Sequence, residues 1–580
     1  MRPEPVTLDE LSAHFAEALK LVSAVTDPLP LRNHLLAVIL LKRLHDQFQD
    51  RYDSLIARER SQGSSEAEAV AVAEDPDEHP IFVPREARWP VLLGTPGHSL
   101  AALARACAAL AARNPGALAG VLDRLSFETL DTGLGAAAAD ELWHRLLHHL
   151  SKISLADQNL LTDEVFAGAI DRLLEDFIQK AGRKAGDFAS PHSVMQLLAE
   201  LLQPADGMRL CDPVCGAARG LLACRAYVAR AGGQLQNLSL HGEELDPETW
   251  VLGRLNLLLH GVTDFQLELG DTLSRPLLAA DGSLLTCDRL IAHPPFSIAN
   301  WPRHIASNDP WQRFQAGVPP EKRGDLAFAQ HALAALTPTG RAALIMPHGV
   351  LFRAGLEQNI RRGWLQPDCD VIEAVIGLPS GLGYGASLAF AILLLRPNKP
   401  QARRGRVLFI DATAHLEPES PEQGLQDTDI LKIVATYRTF GEAAQMPAAL
   451  EEIIAEWLRH CDTAHHAARN RWPEGSRARE KIDAQFHLRR QALQQAAERA
   501  RLWLAHNPAL AGFAATATLA DIETAHHCNL NFTRYVSGRR YQPAFDFTTE
   551  WQALRELEAQ RNQAEGDMDR LLAEWGSDRA

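Results

Sequence analysis

Leu210-Cys211-Asp212-Pro213-Val214-Cys215-Gly216-Ala217-Ala218-Arg219-Gly220-Leu221-Leu222 decides the fold. An apolar lead-in ends in an acid, a glycine marks a tight turn, and a helical pattern runs on from Leu221 to about Arg230. A strand, turn and helix start of this kind builds a doubly wound α/β sheet, whose turn N–H groups face whatever sits at the strand's carboxyl end. The stretch therefore predicts a small-molecule site with Asp212 and Gly216 on its wall. Any β-turn-α unit shares part of this signature, so the neighbouring strands must supply the rest.

The following sequence does so. A second strand, 239–245, ends in Gly242-Glu243-Glu244, and a carboxylate there can accept hydrogen bonds from ribose hydroxyls. A helix at 248–260 precedes a third strand, 265–270, which delivers Asp271 to reach an adenine amine or to cap a turn. The strand at 287–292 runs into His293-Pro294-Pro295-Phe296. Paired prolines cannot continue a ladder, so they turn the chain and leave carbonyls pointing into the cleft beside the flat face of Phe296. A planar amine could be stacked and held there, provided position 293 supplies an acceptor. Further strands are expected at 342–346, 371–376, 390–395 and 407–410.

On either side the pattern is helical. Residues 7–161 repeat apolar positions at three- and four-residue spacing, with an acidic, Ala- and Ser-rich segment at 62–79 expected as a mobile loop. Pro191 reads as sitting just inside a helix at 192–202, with Ser190 as its N-cap. From 427 helices return, including a long one at 485–504 carrying Arg489, Arg490, Arg499 and Arg501. The segment 550–575 reads as a charged helix for docking on a partner. The expected domains are helical 1–165, Rossmann-like 166–425 and helical 426–580.

Bulk properties narrow the classes. A chain of 580 residues exceeds one core, and 46% hydrophobic with 23% charged residues is ordinary for a globular protein. No apolar run is long enough to span a bilayer, and Met1-Arg2-Pro3-Glu4 does not read as a secretory signal, so a cytoplasmic location without membrane is expected. Eight cysteines without a CxxC pair argue against zinc and disulfides. His144, His148 and His149 suggest a metal face but lack a carboxylate partner, and His526-His527-Cys528 are adjacent residues that point apart, so no metal site is expected. The net charge of −15 discourages nucleic-acid binding without excluding it, because basic residues can cluster. The loop 298–323 does mix Trp301, Trp311 and Phe314 with Arg303, Arg313, Lys322 and Arg323, fit either to meet DNA or to pin itself down.

Other motifs carry a resemblance. Gly324-Asp325-Leu326-Ala327-Phe328, Met346-Pro347-His348-Gly349-Val350-Leu351-Phe352-Arg353, Glu357 with Ile360-Arg361, and Val375-Ile376-Gly377-Leu378-Pro379 stand downstream of the Pro-Pro turn. Leu40-Leu41-Lys42-Arg43-Leu44 and Cys528-Asn529-Leu530-Asn531 flank them. Together they resemble the modification subunit of type I restriction-modification systems, a DNA adenine-N6 methyltransferase family. The resemblance implies a class I methyltransferase sheet and S-adenosylmethionine as cofactor, bound by Phe188, Ser190, Asp212, Gly216, Glu244 and Asp271. It implies catalysis by the tetrapeptide His293, Pro294, Pro295 and Phe296 on a flipped adenine. It further implies double-stranded DNA, a specificity subunit and a restriction or other effector subunit as partners.

Three sites depart from the family pattern. Ala218 replaces the second glycine of the cofactor turn, Ala189 and Ser190 replace Tyr and Thr in the upstream cofactor motif, and His293 replaces the catalytic Asn. A neutral imidazole could stand in for the amide, whereas an imidazolium offers only donors. Three readings stay open: a methyltransferase with a modified pocket, a non-catalytic subunit using the fold as a DNA-binding scaffold, and a methyltransferase for another planar amine.

Overall fold

In the computed structural model the described residues are 4–118, 120–128, 133–181, 191–380, 382, 389–413 and 424–536, with three single positions beyond. Phe188, Ser190 and the expected helix at 550–575 thus lie, wholly or for the most part, outside the described residues. Residues up to Val536 form one unit, and Ser537–Ala580 a second.

The N-terminal part is helical, as its periodicity dictates: α1 (Leu8–Ser23), α2 (Arg32–Ser61), α3 (Glu66–Ala73), α4 (Ser99–Arg113), α5 (Ala136–Leu150) and α6 (Glu164–Ala181). The segment expected as a mobile loop contains α3. Ser65 accepts from the Glu68 N–H while Glu68 reaches back to Ser65, a capping box that the acidic composition masked. His79, at its end, is buried, with Nε2 2.9 Å from the Ala73 carbonyl.

Helix α7 (His192–Leu202) leads into the sheet, and Pro191 is its N-cap in extended geometry rather than its first helical residue. There follow β1 (Arg209–Asp212), α8 (Arg219–Arg230), β2 (Ser239–Glu244), α9 (Pro247–Leu259), β3 (Gln266–Leu269), β4 (Cys287–Ala292), α10 (Asp325–Ala334), β5 (Leu336–Pro347), α11 (Leu356–Trp364), β6 (Ile372–Gly377), β7 (Phe390–Leu395) and β8 (Arg406–Asp411). After α12 (Asp427–Arg438), α13 (Met446–Asn470) and α14 (Arg477–His506) the chain returns to the sheet as β9 (Ala514–Thr518). The C-terminal region is therefore not purely helical. Short, weakly apolar Ala514-Ala515-Thr516-Ala517-Thr518 carries no strand pattern of its own, and pairing with β8 makes it one.

The strand order is β3-β2-β1-β4-β5-β7-β6-β8-β9. Strands β3 to β5 are parallel, β7 runs antiparallel between β5 and β6, and β9 is antiparallel at the edge. Central strands are buried on both faces, which is why they read as unbroken apolar runs. Ile345, Ile392 and Ile376 face a core continuous with the N-terminal helices and α12–α14, and Leu344, Leu393 and Val375 face a second core. The direction of winding reverses between β1 and β4, so a cleft opens at their carboxyl ends, the general ligand position in such sheets.

Candidate active site at the switch point

Three loops meet this end of the sheet. After β1, the Val214 N–H donates to Asp212 Oδ1 at 3.1 Å, and Gly216 adopts φ 53°. The Gly216 N–H donates to Glu244 Oε2 at 2.9 Å, tying the turn to the end of β2. Ala218 is fully buried at φ 58°, ψ 20°, a left-handed conformation that costs an L-residue about 1 kcal/mol or more. Helix α9 braces the turn: Asn256 Nδ2 donates to the Ala217 carbonyl at 2.8 Å, and a Cβ on Gly253 would come within 2.6 Å of the Gly216 carbonyl oxygen. The turn thus keeps its shape despite the alanine.

Burial pushes the Asp212 carboxyl up to about 8, opposed by the Val214 N–H and helped by the Glu244 charge, which favours its protonated form. Burial also raises Glu244, opposed by backbone N–H groups. Glu244 Oε1 accepts from the Asp246 N–H at 2.9 Å and Oε2 from Gly216. A carboxylate has about four acceptor positions, so beside its backbone donors Glu244 keeps acceptor capacity for a ribose hydroxyl. This donor and acceptor set fits a nucleoside cofactor. Asp271 caps its own turn, accepting from the Leu273 N–H at 3.0 Å and the Ser274 hydroxyl at 2.6 Å.

The catalytic candidates follow β4. His293 lies 5.5 Å from Phe296 and 6.4 Å from Phe390, ring centre to ring centre. Burial drives the His293 imidazole down to about 4, so it is neutral at physiological pH and retains an acceptor nitrogen. Pro294 is buried, Pro295 and Phe296 half-buried, and Ser297 turns the chain at φ 57°. Strands β1 and β4 are neighbours, so the two candidate clusters occupy adjoining strand ends.

The loop beyond is largely pinned. Trp301 and Phe314 are buried 5.7 Å apart, and Trp301 donates to the Pro320 carbonyl at 2.9 Å. Buried Arg313 pairs with Asp309 at 2.7 Å and donates to the carbonyls of Thr272 (3.0 Å) and Leu273 (2.8 Å). Only Arg303, Lys322 and Arg323 of its named cations are exposed.

Sequence reasoning missed a buried chain beneath the cleft. Glu243, raised by burial to about 7, accepts from the Thr272 hydroxyl at 2.8 Å; that hydroxyl lies 3.1 Å from His331 Nε2, and His331 Nδ1 lies 3.3 Å from Arg313. Only three-dimensional proximity assembles residues 59 apart in sequence, so no local motif announces them.

The long C-terminal arginine helix proves to be paired: Arg489 with Glu164, Arg490 with Asp462 and Arg501 with Glu451. His144 and His148 face each other at 3.1 Å, and His526 packs on Tyr535. Among the described residues no group of three or more His, Cys, Asp or Glu could hold a metal. All eight cysteines are free, with Cys211 and Cys215 buried as small apolar residues. No helix among the described residues is long and apolar enough to cross a membrane.

A glycine turn at the switch point, an acid ending β2 and a Pro-Pro-aromatic turn after β4, on a sheet with an antiparallel β7, are the layout of the class I methyltransferase fold. The N-6 DNA Methylase profile matches residues 161–466, and the HsdM N-terminal domain profile matches 15–150. The chain belongs to the N-6 DNA methylase family, with the N-terminal domain of type I modification subunits. It is similar to the type I restriction enzyme MjaVIII methylase subunit of Methanocaldococcus jannaschii, 30% identical over 53% of this chain and 54% of that protein. The HindI methylase subunit of Haemophilus influenzae is 29% identical over 51% of this chain and 64% of its own length. The match thus spans only about half to two thirds of these relatives. The type I methyltransferase subunit structure from Streptococcus thermophilus shares the fold, with a TM-score of 0.67 at 21% identity, covering 92% of this chain and 100% of that one.

Proposed function

We propose that this chain is the modification subunit of a type I restriction-modification complex, directing a methyl group from S-adenosylmethionine to N6 of adenine in double-stranded DNA. The observation that carries this reading is the His293–Phe296 turn beside the Gly216–Glu244 turn at the switch point. The cofactor supplies an electrophilic sulfonium methyl. Glu244 would hold the ribose on its remaining acceptor capacity, and the glycine turn would flank the nucleoside. The Pro294 carbonyl and the neutral His293 ring accept the two amine N–H groups of the target base, directing the nitrogen lone pair outward. Phe296 stacks the extrahelical ring. Protonated Asp212 keeps a second negative charge away from Glu244.

Such a substrate places the complex in the cytoplasm. A specificity subunit would choose the sequence and a restriction subunit would complete the assembly, consistent with a fold neighbour described for type I complex assembly. Residues 1–165 would be the accessory helical domain, 166–425 the methyltransferase domain, and 426–580 the region offered to partners. The retained turn geometry favours this over a purely scaffolding role.

Calorimetric titration of S-adenosylmethionine into the chain, alone and then with specificity partner and DNA, tests the reading. Saturable one-to-one binding and adenine methylation are expected. Absence of heat in every mixture, with the protein folded, would favour the scaffold.

A further inference from the structure

The motifs at 324–328 and 346–361 contribute no group to the mechanism above, yet their side chains converge on its base-binding turn. Asp325, buried at the start of α10, accepts from the Ser297 N–H through Oδ1 at 2.6 Å. Ser297 directly follows Phe296 and is held at φ 57°, a conformation that persists only where its surroundings fix it. The preceding residue adds a second tie, since the Gly324 N–H donates to the Ile298 carbonyl at 3.1 Å. A Cβ at Gly324 would press on Trp301 at 3.0 Å, so this close approach needs glycine.

Behind Asp325 stands Arg353. Its guanidinium reaches Asp325 Oδ2 at 3.3 Å and Glu357 Oε1 at 3.4 Å. It lies over Gly349, where any Cβ would collide with it. Its own carbonyl accepts from Arg361 at 2.7 Å, and Arg361 also donates to the carbonyls of Val350 and Cys528, each at 2.8 Å. The signature residues Asp325, Arg353, Glu357 and Arg361 thereby form one tether from the second core to the backbone after Phe296.

We propose that Asp325, backed by Arg353, is a positioning residue that fixes the Pro294–Phe296 turn in its base-receiving geometry. The inference rests on the methyltransferase reading and adds to it the device that orders the turn. Holding acceptors and stacking ring in place matters because a misplacement of about 1 Å at a reacting centre can cost on the order of a hundredfold in rate.

Hydrogen–deuterium exchange on the full chain, read on peptides covering 292–300, tests the tether directly. Asp325→Ala should speed exchange in that turn by about tenfold and leave the turn after β1 unchanged. Asp325→Asn keeps an acceptor oxygen and should restore most of the protection; Arg353→Gln should fall between. In single-turnover methylation with the specificity partner and DNA, Asp325→Ala should slow the rate by about tenfold or more while the Kd for S-adenosylmethionine stays within about twofold. Asp325→Asn should recover most of that rate. Unaltered exchange in Asp325→Ala, or a rate loss matched by an equal loss of cofactor affinity, overturns the proposal. A wild-type assembly that binds DNA and cofactor without methylating would overturn the functional reading instead, and the exchange result would then decide the tether alone.

Discussion

Ala218 shows how far one residue can depart from a family pattern while the backbone does not. The alanine occupies a left-handed conformation that glycine adopts freely, and α9 holds it there. Ala218→Gly should therefore stabilise the chain by about 1 kcal/mol, read as a higher denaturation midpoint with an unchanged slope. At His293 burial lowers the pKa to about 4, so the ring stays neutral through the physiological range, as the proposed acceptor role requires. Affinity for DNA carrying an extrahelical adenine should stay flat from pH 8 to about 6, and His293→Lys should abolish it by placing only donors in the pocket. A loss beginning near pH 7 would refute the neutral-imidazole assignment. The tie between Glu244 and the turn after β1 was legible in the sequence because Glu244 ends a strand beside a glycine turn. Asp325 was not, since its role depends on a Ser297 N–H that only the folded chain brings to it.

At the scale of elements, the sheet meets the late segment 528–536 closely, with Phe409 of β8 stacked on Tyr535 at 3.8 Å between ring centres. Gly377, the last residue of β6, lies against the Phe532 ring, where a Cβ would collide with it. Gly377→Ala should cost about 1–3 kcal/mol by overpacking, and Phe532→Leu should recover part of that loss in a double-mutant cycle. Strictly additive effects would mean that the contact is not shared. The central strands were legible because burial on both faces leaves long apolar runs. Helix α3 and strand β9 were not: one hides a capping box in an acidic stretch, and the other borrows its conformation from β8.

For the whole molecule, buried imidazoles set the acid limit. His14, His34, His45 and His293 are each driven by burial to about 4, and His331 to about 3. The unfolded chain binds these protons from about pH 6.5, so stability should fall as pH drops from 6.5 towards 4, each imidazole forfeiting on the order of 3 kcal/mol once charged. Asp212 acts in the opposite sense: its raised value favours the folded state at low pH and gives up that advantage as pH rises towards 8. Urea titrations across pH 4 to 8 should show the acid limb flatten in His331→Gln and the alkaline side flatten in Asp212→Asn. Finally, β8 and its partner β9 are separated by helices α12 to α14. At roughly 5–20 residues per second, synthesis leaves the open edge of β8 waiting about 5–20 s for its cover. A nascent chain stalled within that interval presents an unpaired parallel-sheet edge, which makes the ribosome-bound intermediate, rather than the finished protein, the form most in need of a chaperone.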